Sequence, residues 1–152
     1  MVRKDYMWNS INTKEDMEMF LRQVRWFHDS CIKEMKYLSG AYVDKNMSMY
    51  PVNDRRVLRV IIQRQYEELP MIEMEFTGLK TLKLYPEDNQ FTCEILDSTM
   101  ILDKDSVYWC DMGGLSEEAL DNYMGTMICA SSFRWRPIVD HMGKEEFYQS
   151  KV

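Results

Sequence analysis

Potentially reactive side chains follow one another at His28, Asp29, Ser30 and Cys31. A histidine can act as a general base for a serine or cysteine nucleophile when a carboxylate orients its ring. Neighbouring residues on a strand point to opposite faces, so adjacent side chains do not form a triad by themselves. We therefore assign no catalytic residue, and we keep His28, Asp29 and Ser30 as candidates that need partners from elsewhere in the chain. Alternatively, His28 and Asp29 bond to backbone at the helix-to-strand junction and fix its angle.

Metal, cofactor and enzyme motifs have little support in the sequence. A zinc site needs three or four converging ligands, and His28 and His141 stand far apart among scattered cysteines. A site made from His28 and Cys31 is the remaining alternative. There is no Gly-X-Ser-X-Gly motif, no phosphate-binding glycine loop and no His-Glu-X-X-His motif. We predict no metal and no cofactor, and we favour a non-enzymatic protein.

Two segments carry charge in patterns that suit binding. Phe133-Arg134-Trp135-Arg136 interleaves aromatic residues with arginines, as protein interfaces and nucleic-acid stacking surfaces do. Glu73 and Glu75, with Glu94, could line one outer surface, where close carboxylates can divide acid and base roles. Strand alternation also explains both patterns, with aromatics in the core and charges paired outside. The candidate binding residues are Arg134, Trp135, Arg136, Trp109, Glu73 and Glu75.

An amphipathic helix precedes the reactive run. Asn12 or Thr13 can cap it, and Asn12 with Glu15 has the spacing of a capping box. Apolar residues then recur with helical spacing along one stripe, so we predict that the helix lies against a sheet. The stripe consists of Met17, Phe20, Leu21 and Val24.

The rest of the chain alternates as strands do. In the strongest register Ile62 pairs with Ile72, Leu58 meets Phe76, and Arg59 faces Glu75 on the outer side, which satisfies both faces of the sheet. The predicted hairpins are 27–37 with 41–49 around Ser39-Gly40, 55–66 with 71–76, 79–85 with 91–96, and 98–102 with 107–111. Ser116 can cap a short helix that ends near Gly125, and the last strand spans residues 126–136.

These elements predict an α+β fold. We expect a mostly antiparallel curved sheet or sandwich-like layer of about eight strands, with the N-terminal amphipathic helix and a short helix before the last strand. The length of 152 residues fits one domain, with a core at about residues 13–137 and frayed termini.

Composition narrows the class of partner. The net charge of −6 disfavours DNA and fits a basic protein partner. Because the sequence shows no apolar run long enough to span a bilayer and no signal peptide, we predict a cytoplasmic protein with reduced cysteines and no membrane partner. A homodimer through an edge strand stays open. Alternative functions are a small hydrolase or ligand-binding domain that uses His28, and lipid-headgroup or RNA binding if Arg55, Arg56, Arg134 and Arg136 converge.

The run Trp26-Phe27-His28-Asp29-Ser30-Cys31, followed by strands and by Tyr108-Trp109-Cys110-Asp111 and Phe133-Arg134-Trp135-Arg136, resembles a loose group of small, largely uncharacterised bacterial proteins. Some of that group are similar to immunity proteins, which neutralise toxins of competing bacteria. The resemblance covers residues 20–136 in the order of elements. It implies a compact, acidic, single-domain bacterial protein that binds another protein, and it assigns no catalytic residue.

Overall fold

The computed structural model describes residues 5–148, so part of the predicted frayed termini lies outside the described residues. The predicted α+β fold with a mostly antiparallel sheet is confirmed. The helical elements are α1 (Lys14–Gln23), a 3₁₀ turn (Arg25–Phe27) and α2 (Glu117–Leu120). The strands are β1 (Asn9–Ser10), β2 (Ser30–Leu38), β3 (Tyr42–Val43), β4 (Met49–Tyr50), β5 (Val57–Arg64), β6 (Met71–Lys83), β7 (Thr99–Leu102), β8 (Val107–Cys110) and β9 (Met127–Pro137).

One antiparallel sheet organises the molecule, in the order β2-β5-β6-β9-β8-β7, and β1 adds to β9. A β-bulge after Leu79 in β6 bends the long β6–β9 pair. The backbone of Ser30 in β2 forms a bridge with Ile95, four residues before β7. The sheet is therefore curved. The segment that leads into the edge strand β7 reaches β2, the edge strand at the other end of the order. The β3–β4 hairpin stands apart as a second, two-stranded sheet.

The centre of the sheet has the predicted register. Ile62 pairs with Ile72, Leu58 with Phe76 and Arg59 with Glu75. The apolar side chains of β5, β6 and β9 that point to the inner face are buried, while charged side chains lie on the outer face. This arrangement forms because alternation places the apolar set of every central strand on the same side.

Helix α1 covers the inner face of the sheet. Thr13 is its N-cap, and the capping box is completed by Asp16 rather than by the predicted pair of Asn12 and Glu15. The Asp16 carboxylate accepts from the backbone N–H groups of Asn12 and Thr13, which lower the pKa of Asp16. The ring of Phe20 lies 5.0 Å from Trp135, centroid to centroid, so the predicted apolar stripe anchors the helix on β9.

Two predicted hairpins are wrong and one helix is shorter than predicted. Segment 27–37 does not pair with 41–49, because β2 pairs with β5 while β3 and β4 pair with each other. Segment 79–85 does not pair with 91–96, because the end of β6 pairs with β9. The predicted pair of 98–102 with 107–111 and the last strand are confirmed. Helix α2, capped by Ser116 as predicted, ends at Leu120, before Gly125.

Candidate functional site

The run of reactive residues begins in a turn with an unusual backbone. Arg25, Trp26, Phe27 and Asp29 have φ angles of 52°, 51°, 63° and 56°, in the left-handed region that side-chain-bearing residues rarely adopt. Such residues cost of order 1–3 kcal/mol each and persist only where the surroundings fix them. Here the fixed point is the buried side chain of Phe27, whose ring packs edge-on at 5.4 Å from Trp109. The packing of Phe27 against Trp109 thus anchors the turn to the core.

The turn brings His28 and Asp29 together at the surface. The Nδ1 atom of His28 lies 3.0 Å from Oδ2 of Asp29, with side chains 51% and 37% exposed. The hydroxyl of Tyr66 donates to the same Oδ2 atom at 3.3 Å. Asp29 can therefore orient the imidazole ring and leave its Nε2 atom free, which is the arrangement that a general base requires.

The structure separates Ser30 from this pair. Ser30 is buried, and its hydroxyl donates to the backbone carbonyl of His28 at 3.3 Å. Its oxygen is therefore held by the chain rather than presented to the imidazole. Of the three candidates from the sequence, His28 and Asp29 therefore form a pair, and Ser30 is not placed to act as the nucleophile of that pair.

An open cleft of about 510 Å³ borders His28. His28 and Trp26 line one wall, and Asp97, Ser98 and Gly114 line the other. The hydroxyl oxygen of Ser98 is buried and has no hydrogen-bond partner in the described part of the chain. The cleft is thus polar and shallow, with one imidazole at its rim.

Cys31 lies in a different cleft, together with Cys93 and Glu94. Burial raises the pKa of the Cys31 thiol, which reduces its thiolate fraction and its nucleophilicity. Within residues 5–148, no three His, Cys, Asp or Glu side chains come together as a metal site. Cys31 and His28 therefore do not share a zinc ligand set among the described residues.

The predicted binding residues of β6 and β9 form ion pairs on the outer face of the sheet. Arg136 contacts the buried carboxylate of Glu73 at 2.6 Å, while Arg59 and Arg134 both bond to Glu75 at 2.9 and 2.7 Å. Burial raises the pKa of Glu73 despite the neighbouring Arg136. Burial also acts to raise the pKa of Glu75, but hydrogen bonds from Arg134 and Arg59 outweigh it and lower that pKa.

The segment before β1 covers this ion-pair network. The Trp8 ring lies 4.2 Å from the Arg134 guanidinium and 4.5 Å from that of Arg136, distances at which cations bind aromatic faces. The arginines are therefore occupied by carboxylates and by an indole ring. They do not offer the free charge that phosphate binding by Arg134 and Arg136 requires.

The remaining predicted binding residues are inaccessible or lie elsewhere. Trp109 and Trp135 are buried in the core, so a partner of the folded chain does not touch them. Glu94 is not on the outer face with Glu73 and Glu75. It lies in the loop before β7, where it lines two clefts.

A groove that sequence reasoning missed lies at that loop. Its volume is about 590 Å³, and it runs between the loop after β6 and the loops that follow β8 and α2. Its exposed apolar side chains are Leu84, Tyr85, Leu96 and Met112. Its carboxylates are Glu87, Glu94, Asp97 and Asp111. The groove thus combines an apolar lining with four acidic groups.

The negative charge of the chain is concentrated in the segment that supplies most of this groove. Residues 84–126 contain ten Asp and Glu against a single basic residue, Lys104, a net charge of −9. The other 109 residues contain 18 Lys and Arg against 15 Asp and Glu, a net charge of +3. Asp111, one of the groove carboxylates, also accepts a hydrogen bond from the Tyr123 hydroxyl, which fixes one wall. A count of charge by segment would have found this asymmetry in the sequence.

No family model, no curated protein and no solved structure matches this chain. No described helix is both long enough and apolar enough to cross a membrane. The fold and its surfaces define a class in physical terms: an α+β protein with one curved antiparallel sheet, an ion-paired outer face and an acidic groove at one end.

Proposed function

We propose that this is a bacterial cytoplasmic, non-enzymatic protein that binds a basic segment of another protein in the acidic groove. The observation that carries the proposal is the groove itself, in which Leu84, Tyr85, Leu96 and Met112 lie among four carboxylates. Apolar side chains of a partner supply affinity by leaving water, and Lys or Arg beside them match the carboxylates. The expected ligand is a peptide segment in which apolar and basic residues alternate.

The charge asymmetry supports a basic partner in particular. A local charge of −9 in one region attracts cationic surfaces over a distance of about 8–10 Å at ordinary ionic strength, and it raises the association rate. The same field repels nucleic acid. The partner is therefore expected to be a cationic protein rather than RNA or DNA.

An immunity-type inhibitor is the form of this proposal that the sequence resemblance favours. Such a protein covers a toxin of a competing bacterium, and a basic toxin surface would fit the groove. In that case expression of the chain protects bacterial cells from the toxin, and replacing groove carboxylates by lysines removes the protection.

The proposal is tested by selecting displayed random peptides on the full chain and on a Glu87→Lys/Glu94→Lys variant. Both glutamates are exposed, so the fold is expected to survive the exchange. The expected peptides carry Lys or Arg between apolar residues, bind the wild-type chain, and lose at least about tenfold in affinity between 50 and 500 mM salt. The control variant Glu18→Lys/Glu145→Lys makes the same change in net charge at exposed positions outside the groove.

A second variant separates the apolar lining from the charge. Leu96→Asp places a charge on an exposed groove residue and is expected to abolish binding of the selected peptides. The proposal fails if the selected peptides are acidic, if none is selected at 50 mM salt, or if the control variant loses as much affinity as the groove variants.

A ligand-binding or hydrolytic cleft at His28 is the second candidate, because Asp29 lies 3.0 Å from Nδ1 of His28 beside an open cleft. The test compares hydrolysis of 4-nitrophenyl acetate by the wild-type chain and by His28→Ala and His141→Ala variants. This candidate requires that only His28→Ala lowers the rate. Equal rates for all three proteins would remove it.

A further inference from the structure

The β3–β4 hairpin exposes an unusual amount of apolar surface. Seven large apolar residues on the hairpin and at its base are between 47% and 82% exposed. In most folded chains exposure of this degree is more common for polar than for apolar side chains. We call this set the hairpin patch. It consists of Tyr37, Tyr42, Val43, Met47, Met49, Tyr50 and Val52.

The hairpin has a defined conformation. The Asp44 carboxylate accepts from the backbone N–H groups of Asn46 and Ser48 and closes the turn. The rings of Tyr42 and Tyr50 stack across the two strands with centroids 4.8 Å apart and planes at 16°. A surface that is already ordered loses little conformational entropy when it binds.

The exposed apolar side chains of the hairpin lie on both of its faces, because neighbouring residues on a strand point to opposite sides. Tyr42 lies opposite Tyr50 and Val43 opposite Met49 across the two strands, so the tyrosines share one face and Val43 and Met49 share the other. At about 200 Å² for each residue, each of these pairs exposes on the order of 200 Å². A partner that pairs with a strand edge of the hairpin can contact both faces at once, whereas a partner that lies flat on one face covers only part of the set.

The charge of the hairpin indicates which partner. Asp44 and Lys45 are the only charged residues between positions 37 and 53, and their charges cancel. A two-fold dimer brings each residue close to its own copy or a near neighbour, so a patch with net charge repels itself and a neutral apolar patch does not. By the same reasoning the acidic groove, at −9 over residues 84–126, is unsuited to self-association.

The backbone of the hairpin supports the same conclusion. Within the described residues β3 pairs only with β4, so each of these two strands keeps one free edge. A free edge can pair with the same edge of another copy and so continue the sheet.

We propose that the hairpin patch is a homodimerisation surface, through which two copies of this chain associate about a two-fold axis. The acidic grooves stay accessible in the dimer, because they are formed by residues 84–126 and Ile32 rather than by the hairpin. The dimer therefore carries two binding grooves.

The test measures the mass of the full chain by sedimentation equilibrium between about 1 and 200 μM. The expected mass is twice 18.3 kDa at the higher concentrations. In a two-fold dimer, Met49→Lys or Met49→Glu places the same charge on both copies at the interface. Each variant is therefore expected to weaken the dimer at least tenfold. An equimolar mixture of the two variants is expected to regain the dimer, which a variant that merely unfolds would not do. Met19→Lys, at an exposed methionine of α1, is the matched control and is expected to stay dimeric.

Three results overturn the proposal. A wild-type chain that stays at 18.3 kDa up to 200 μM does not use the patch for self-association. A dimer that Met49→Lys does not weaken is formed by another surface. A monomer that floats with phosphatidylserine vesicles, and loses this in Met49→Glu, has a membrane surface as the occupant. The Glu87→Lys/Glu94→Lys variant distinguishes this proposal from the proposed function, because it changes peptide binding and leaves the dimer intact.

Discussion

Replacing Arg136 by methionine isolates the energetics of the buried ion pair on the outer face of the sheet. Glu73 is fully buried, and Arg136 donates to its Oε1 atom through Nε at 2.7 Å. The Oε2 atom has no hydrogen-bond partner among the described residues, so Arg136 provides the main compensation for the buried charge. Methionine keeps most of the aliphatic stem and removes the guanidinium, with its charge, its donors and its contact with the Trp8 ring.

The expected loss is large for a single substitution. Removing one member of a buried pair costs 3–5 kcal/mol, and because a quarter of the Arg136 side chain is exposed we expect a value near the lower end, about 3 kcal/mol. For a chain of this length that corresponds to a fall in Tm of roughly 6–12 °C. Urea unfolding followed by tryptophan fluorescence measures the free energy of unfolding directly.

The loss should also depend on pH, with a sign fixed by Glu73. Burial raises the pKa of Glu73, so the folded chain binds this proton more tightly than the unfolded chain. Stability from this group is therefore fully present below the ordinary pKa of glutamic acid, and it is lost as pH rises through the raised value. Without Arg136 the pKa rises further, so the destabilisation of Arg136→Met is expected to be larger at pH 8 than at pH 5.

Two further variants complete the experiment. In Glu73→Gln/Arg136→Met no charge remains to be buried, and at least half of the lost stability should return. Arg59→Met is the matched control, since Glu75 keeps its bond to Arg134, and its loss should be less than half as large. A loss below about 1 kcal/mol for Arg136→Met, or equal losses at pH 5 and pH 8, would refute the reasoning.

Other predictions follow from single contacts. Thr13→Ala removes the N-cap of α1 and should lower the free energy of unfolding by about 1 kcal/mol in urea titrations. Phe20→Ala leaves a cavity between α1 and β9 and should cost about 3–5 kcal/mol by the same measurement. Cys93 is exposed, whereas burial raises the pKa of Cys110, so a thiol reagent at pH 7.5 should label Cys93 first and Cys110 only after unfolding, as peptide mapping would show.

Clear outcomes would contradict each of these. Thr13→Ser keeps a capping hydroxyl and serves as the control. If the free energy of unfolding of Thr13→Ala is no more than about 0.2 kcal/mol below that of Thr13→Ser, the cap contributes little. A loss below about 1.5 kcal/mol for Phe20→Ala would mean that the core closes over the missing ring. Labelling of Cys110 at the rate of Cys93 in the folded chain would show that its thiol is accessible.

The centre of the sheet could be predicted from the sequence, but its edges could not. Segments 57–64 and 71–77 alternate on both faces, and only one register pairs Arg59 with Glu75 while keeping Ile62 opposite Ile72. The turn at Ser39-Gly40 shows that the chain reverses, but not which strand β2 joins. β2 pairs with β5 because its inward residues join the core, a tertiary preference that overrides the shorter connection.

The candidate sites could be predicted from the sequence only in part. The contact between His28 and Asp29 could not be predicted, because strand alternation places neighbouring side chains on opposite faces, and it is a left-handed turn that brings these two together. The acidic groove is assembled from three separate loops, so no local pattern marks it. Its charge was nevertheless present in the composition of residues 84–126.

The pairing of β1 with β9 has a consequence for synthesis on the ribosome. Asn9 bonds to Trp135 across 126 residues of sequence, and β6 in the middle of the sheet also waits for β9. Non-local pairings of this kind slow folding, to milliseconds or seconds in small β-rich domains. When β5 and β6 have left the ribosome, β9, the second neighbour of β6, has not yet been synthesised. The apolar faces of β5 and β6 therefore stay accessible to chaperones until β9 leaves the exit tunnel. Folding of this protein is thus expected to finish only once β9 is available, when Trp8 can contact the arginines of that strand.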